Sequence, residues 1–169
     1  YNVTNKKKEI NDITGGKERN LVVATGGISA STGDNEQAHA GGHTASSCYV
    51  YQQIYEKNGK EIEGAVVDRN GDGRSREDDK YIYKSPMAPV TMGLSSRLEY
   101  KNWDLGFSLR ANIGNYVFND LMAGQVNISP AAIWASSEFL SNRPIASVKD
   151  NWQTGQISAI LSDRWVQNA

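Results

Sequence analysis

The most regular pattern in the chain runs from Val90 to Ile113. From Val90 to Tyr100, Met92, Leu94, Leu98 and Tyr100 fall on one face of an extended strand, with Ser96 as the exception. Thr91, Gly93, Ser95, Arg97 and Glu99 fall on the other. From Trp103 to Ile113 the alternation repeats, with Trp103, Leu105, Phe107, Leu109, Ala111 and Ile113 against Asp104, Gly106, Ser108, Arg110 and Asn112. Period-two alternation is the signature of a strand with one apolar face. A two-residue turn at Lys101-Asn102 lets the arms pair face to face. Tyr100 then meets Trp103, Leu98 meets Leu105, Leu94 meets Leu109 and Met92 meets Ala111. On the polar face Glu99 meets Asp104 and Gly93 meets Arg110.

Each arm is eleven residues long, and a tilted membrane-crossing strand needs about 9–11 residues. The Tyr100/Trp103 pair beside a short turn suits the aromatic girdle of a transmembrane barrel. A hairpin from a soluble sandwich explains the alternation equally well. It explains the length, the girdle and the unbroken polar face less well. No run of eighteen apolar residues exists, so no membrane-crossing helix is expected, which leaves a barrel untouched.

Elsewhere the pattern is shorter. Tyr49 to Tyr55 followed by Asn58-Gly59 and Ile62 to Val67 reads as a second hairpin with a type I′ turn. In it Tyr49, Tyr51 and Tyr55 share a face with Gln53. Leu21 to Thr25 is a short strand-like run, and Gly26 to Gly42 has too little apolar material for anything but a long loop. Residues 1 to 14 read as a strand end and a turn. After Gly114 a long irregular stretch reaches Asp163. Ser129-Pro130 opens a short helix there, over Ala131 to Leu140 with Ile133 and Trp134 near one stripe, and Trp152 adds a packing anchor. Asp163 to Val166 looks like the start of another strand. The fold class is all-β: antiparallel strands and hairpins, five to seven strands in all, with long loops and a short loop helix.

Composition narrows the chemistry. The 169 residues carry a net charge of −1 with 38% hydrophobic residues, and Lys and Arg do not gather on one face, so nucleic acid is not expected. The run Lys6-Lys7-Lys8 reads as a solvated turn. Cys48 is the single cysteine, so there is no internal disulfide. It reads as a small strand residue, not as a nucleophile paired with His39 or His43, which lie in a Gly-rich stretch without a metal or catalytic motif. No nucleophile–base pair, catalytic carboxylate pair or phosphate loop is present, so no catalytic residue and no enzyme activity are expected. The chain opens at Tyr1 without Met or a secretion signal and closes after a strand-like run, which reads as a fragment of a longer protein.

One motif carries metal chemistry. Asp68 to Asp79 fits a twelve-residue calcium loop. Ligands fall at Asp68, Asn70, Asp72, the Arg74 carbonyl and Asp79, and Gly73 sits where the chain turns sharply. Alternating hard oxygens suit Ca²⁺ because one backbone can curl them round a single ion. Ser75 replaces the usual aliphatic residue, Arg76 stands where an acid would ligate through water, and Asp79 is shorter than the usual Glu. An acidic turn held by Asx hydrogen bonds is the equal alternative.

The order and spacing of these segments resemble the C-terminal part of SusC/RagA-type TonB-dependent outer-membrane transporters. The residues that carry the resemblance are Tyr49 to Tyr55, Asn58-Gly59-Lys60, Ile62-Glu63-Gly64, Asp68 to Gly73, Asp78 to Tyr81 and Ser85-Pro86. Lys101 to Asp104, Gly106 to Ser108, Arg110 and Gly114-Asn115 follow in step, and Gly26 to Ser29 is similar too. The match is good over about residues 20 to 120. It implies a bacterial outer-membrane location and a barrel of about 22 strands with an N-terminal plug. It also implies import of an oligosaccharide or peptide energised through TonB, contacted by the N-terminal part that this chain lacks, and a SusD-like surface lipoprotein as lid. On this view residues 43–89 are an extracellular hairpin and acidic loop, 90–113 a transmembrane hairpin against membrane lipid, and 114–163 an extracellular loop. Arg97, Glu99, Asp104 and Arg110 would face the lumen, pairing among themselves or lining the path. Tyr49, Tyr51, Tyr55, Trp134 and Trp152 are candidates for stacking on sugars, with packing as the plainer use. The rival is a soluble extracellular calcium-loop β-domain for carbohydrate binding or adhesion.

Overall fold

The computed structural model describes residues 1–16, 21–27, 34–126, 145 and 157–169. The expected helix over 131–140, with Trp134, and the Trp152 anchor lie outside the described residues.

The long hairpin forms as the alternation demands. β8 (Val90–Tyr100) and β9 (Trp103–Ile113) pair antiparallel over their full length. The register matches the expectation from Tyr100↔Trp103 and Leu98↔Leu105 up to Met92↔Ala111 and Val90↔Ile113. Lys101 at the turn takes a positive φ of 53°. β1 (Asn2–Asn5) joins the outer edge of β8, from Asn2↔Gly93 to Asn5↔Val90, giving the order β1-β8-β9. Among the described residues nothing packs on the apolar face: Trp103 is 80% exposed, Leu98 65% and Leu105 61%.

Because β1 and β8 are antiparallel, residues 6–89 leave and re-enter this sheet at one end, the end opposite the Lys101-Asn102 turn. They carry more order than the sequence pattern showed. β2 (Val22–Gly27), β3 (Asn35–Ala40), β4 (Ser47–Val50) and β7 (Tyr81–Ile82) form a four-stranded antiparallel sheet in the order β2-β3-β4-β7. The long loop expected from Gly26 to Gly42 is therefore corrected: it contains β3. Alternation there rests on alanine rather than on large residues, with Ala38 and Ala40 buried. Gly26, at φ +68°, lets the chain pass close to Gln37, whose side chain would lie 3.0–3.2 Å from any Cβ there.

The run Tyr49 to Tyr55 is not one strand. The chain changes sheets at Tyr51-Gln52, and β5 (Gln53–Tyr55) pairs with β6 (Glu61–Val66) as a separate hairpin. Tyr51 is drawn away by a parallel bridge to Ser162, with Tyr51 N–H donating to Leu161 O (2.9 Å) and Asp163 N–H donating to Tyr51 O (2.8 Å). The Asn58-Gly59 turn also differs from type I′, since Gly59 alone has positive φ (+83°). Gly59 N–H donates to Glu56 O (2.9 Å), and the Asn58 side-chain Oδ1 accepts the Lys60 N–H (2.8 Å). Glu56 N–H donates to Lys60 O (2.7 Å), so three residues, Lys57 to Gly59, close the connection at a left-handed glycine.

After Gly114, β10 (Tyr116–Phe118) pairs with β11 (Val166–Asn168). Between them lie α1 (Asp120–Val126) and α2 (Ile157–Ile160). Asp163–Trp165 is a 3₁₀ turn rather than the start of a strand, which begins at Val166. The described residues thus hold eleven strands rather than five to seven, the extra ones being short strands inside the two long connections. The core lies here. Tyr51 and Leu161 form one buried cluster, and Ala123, Ala159 and Trp165 another, with Phe118 and Ile160 packed against both.

Candidate functional site

The polar face of β8–β9 is the first arrangement that can meet a ligand. Ser95 and Ser108 share a hydrogen bond at 3.0 Å. Arg97 holds Asp104 through two parallel bonds and Glu99 through a third contact at 3.1 Å. These charges satisfy one another. Arg110, on the same face nearer the other end, has no ion-pair partner among the described residues.

The acidic loop is the second arrangement. Asp68 accepts the Gly71 and Gly73 N–H groups at 2.6 and 2.7 Å. Asn70 accepts from Asp72, and Asp72 accepts from Arg74, both at 2.8 Å. Asp79 is buried and accepts three backbone N–H groups: Arg69 (2.9 Å), Asn70 (3.3 Å) and Arg76 (3.1 Å). The Arg76 N–H above all, then those of Arg69 and Asn70, holds the Asp79 carboxyl below the usual carboxylate range. Oxygens of Asp68, Asp72 and Asp79 come within 4.8 Å of one another. Two oxygens bound to one Ca²⁺ at about 2.3–2.6 Å can be no farther apart than about 5 Å, so the spacing fits. Each carboxylate oxygen has a second lone pair beyond the one its N–H uses. The arrangement equally describes a self-contained run of Asx turns.

Around the loop lies a dense polar frame. The Lys80 ammonium is shielded from water, pairs with Glu77 (3.1 Å) and lies 5.5 Å from the centres of both the Tyr49 and Tyr51 rings. Arg69 lies over the Tyr81 ring at 5.0 Å. The Tyr81 hydroxyl donates to Asp163 (2.7 Å), whose other oxygen accepts the Gln53 N–H (3.0 Å). Burial, then the bond to Asp163, pushes the Tyr81 hydroxyl well up.

Among the described aromatic candidates, Tyr49 and Tyr51 meet at Lys80 and Tyr55 lies apart. Tyr51 is buried against Leu161, and burial raises its hydroxyl to about 12. Tyr49 is half-buried with its hydroxyl on the Glu77 carbonyl (3.1 Å), and Tyr55 is exposed on the separate β5–β6 hairpin. Cys48 is buried, and burial pushes its thiol to about 11, which removes thiolate character. His39 accepts the Ser46 N–H at 2.9 Å. Asp163 is the residue that sequence reasoning missed: its partners lie 82 and 110 positions away. Gln53, read as one polar break in a tyrosine face, donates to the carbonyls of Ile54, Ile62 and Ala65 and so closes its hairpin.

No family model matches the chain. Over 170 aligned residues it is 42% identical to the TonB-dependent receptor SusC of Bacteroides thetaiotaomicron. The alignment covers the whole of this chain and 17% of that receptor. An apolar face lying bare along paired eleven-residue strands and 42% identity over the whole chain agree: the chain belongs to the SusC family of TonB-dependent receptors, β-barrels of the bacterial outer membrane, and comprises a stretch of antiparallel strands from one.

Proposed function

We propose that the chain is part of the wall and outer loops of a transporter that imports glycans or peptides across the outer membrane, energised through TonB and closed by a SusD-like surface lipoprotein. Its part is transport rather than catalysis. The observation that carries this is the β8–β9 hairpin, with matched arms, one bare apolar face ending in the Tyr100/Trp103 pair, and a polar face whose charges close on themselves. A soluble sandwich strand would bury that apolar face in its own core, and 42% identity to a receptor supports the barrel. On this reading residues 90–113 cross the membrane, the Lys101-Asn102 turn is periplasmic, and 43–89 and 114–163 lie outside, since short turns face the periplasm and long loops the exterior. Residues 6–42 leave the sheet at the same outer end.

Mass spectrometry of fractionated producer cells, using peptides of this chain as tags, tests it. The peptides should come from a much longer polypeptide in the outer membrane and co-purify with a surface lipoprotein. Recovery from a small secreted protein would sink the proposal.

We also propose that the Asp68–Asp79 loop takes Ca²⁺ at millimolar concentration through Asp68, Asn70, Asp72, the Arg74 carbonyl and Asp79, supported by the close approach of its three carboxylates. The role is structural, fastening the loop against β7. Amide exchange across residues 68–79 should slow on adding calcium but not magnesium, and Asp72→Asn should abolish the difference. Equal exchange in all conditions leaves the loop as Asx turns.

A further inference from the structure

We infer that the polar face of β8–β9 opens, at its end away from the Lys101-Asn102 turn, into a site for an acidic sugar unit, a monosaccharide bearing a carboxylate or a sulfate ester. This rests on the transporter reading, which makes that face the wall of the ligand's path.

A cavity of about 450 Å³ lies there, within the size range of small-ligand sites. Thr91 and Asn112, register partners on the polar face, form its base. The chain leaving β1, the chain entering β8 and the chain leaving β9 form its sides.

Three features define its chemistry. The first is cationic. Lys6 and Lys8 line the cavity and make no ion pair among the described residues, whereas Lys7 is taken by Glu9 at 2.7 Å. A second hollow of about 540 Å³ shares Thr91 and is lined by Arg110, also unpaired among the described residues. Farther along, Arg97 faces both Asp104 and Glu99, so negative charge is in surplus there. Among the described residues, Lys6, Lys8 and Arg110, none of them ion-paired, thus gather at this end of the face. The run Lys6-Lys7-Lys8, a solvated turn by sequence, is brought to this place by the Lys6 N–H donating to Pro89 O at 2.8 Å.

The second feature is apolar. Pro86, Met87, Ala88 and Pro89 give a surface against which the C–H face of a pyranose can lie. The third is polar and unsatisfied. Asn115 Oδ1 is buried in the cavity wall with no hydrogen-bond partner among the described residues. A buried carbonyl left unpaired is costly, and a sugar hydroxyl is the donor it lacks. Ser85 Oγ accepts the Met87 N–H at 3.1 Å, which leaves its own proton to donate. A neutral sugar would use the last two features, and a phosphate on a lipid only the first. An acidic sugar uses all three.

The test uses the full-length receptor in detergent at low salt, with glucuronic acid, glucose 6-sulfate and glucose as probes in ligand-observed NMR. The acidic sugars should bind about tenfold tighter than glucose, since charge-assisted bonds exceed neutral ones by that order. Lys6→Gln with Lys8→Gln should remove the advantage and leave glucose binding unchanged, which also shows that the variant is folded. Asn115→Leu should weaken all three sugars together. The tighter of the two acidic probes names the substituent. Equal binding of all three by the natural receptor, a preference that survives the double substitution, or a lysine-bound lipid phosphate that no sugar displaces overturns the site. Uptake by cells is read separately. Lysine-dependent binding without uptake keeps the site and removes the transport reading, and uptake with equal binding does the reverse.

Discussion

Asp163 shows how one carboxylate joins parts of the chain that pattern cannot connect. It accepts the Tyr81 hydroxyl and the Gln53 N–H, each from a different sheet. A hydrogen bond to a charged group contributes about 1.5–3 kcal/mol. Tyr81→Phe should therefore speed amide exchange at Gln53 and Asp163 at least tenfold, with exchange in β8–β9 unchanged. Glu36 gives a second prediction at this scale. Burial, then the charge of Asp120, raises its carboxyl to about 7, and its Oε2 is buried with no hydrogen-bond partner among the described residues. Unfolded, the same group titrates near about 4.3. Between those values the folded form holds the extra proton, so stability falls as pH rises through this window and is level above it. Protection of β3 amides, taken relative to unstructured peptide exchange at the same pH, should be greater at pH 5.5 than at pH 8, and Glu36→Gln should flatten that difference.

Elements were legible where alternation used large side chains. The β8–β9 register could be read pair by pair because a slip of one residue would turn every leucine to the polar face. That makes the two faces unequal in tolerance. On the proposed membrane crossing, Phe107→Arg places a charge near the middle of the lipid-facing side and should cost about 2–4 kcal/mol, seen as loss of heat-resistant receptor in outer membranes. Ser108→Arg, one position along on the polar face, should assemble normally. β3 escaped notice because alanine and polar residues carry its alternation. The tyrosine run was read as one strand because period two says nothing of partners, and Tyr51 is claimed by Leu161 and Ser162 from over a hundred residues away. The acidic loop was legible as a spacing of oxygens, and those of Asp68, Asp72 and Asp79 lie within 4.8 Å of one another. The cavity beside Lys6 and Asn115 was not, since four separate stretches of chain build it.

At the scale of the molecule, the hairpin separates two connections that meet again at one end. Residues 6–89 and the stretch after Gly114 share a core through Tyr51, Leu161 and Phe118. On the proposed placement of 90–113 across the membrane, Tyr51 and Leu161 find each other only when both stretches lie on the same side of the bilayer, so β8–β9 would cross and return before the second stretch arrives there. Closing so long a loop is slow unless its ends are already held together. Completion of this core is thus a timer for membrane assembly: protease resistance at Tyr51 and Trp165 should appear only after the hairpin is seated, and a receptor stalled during insertion would display its outer loops as separate, cleavable strings.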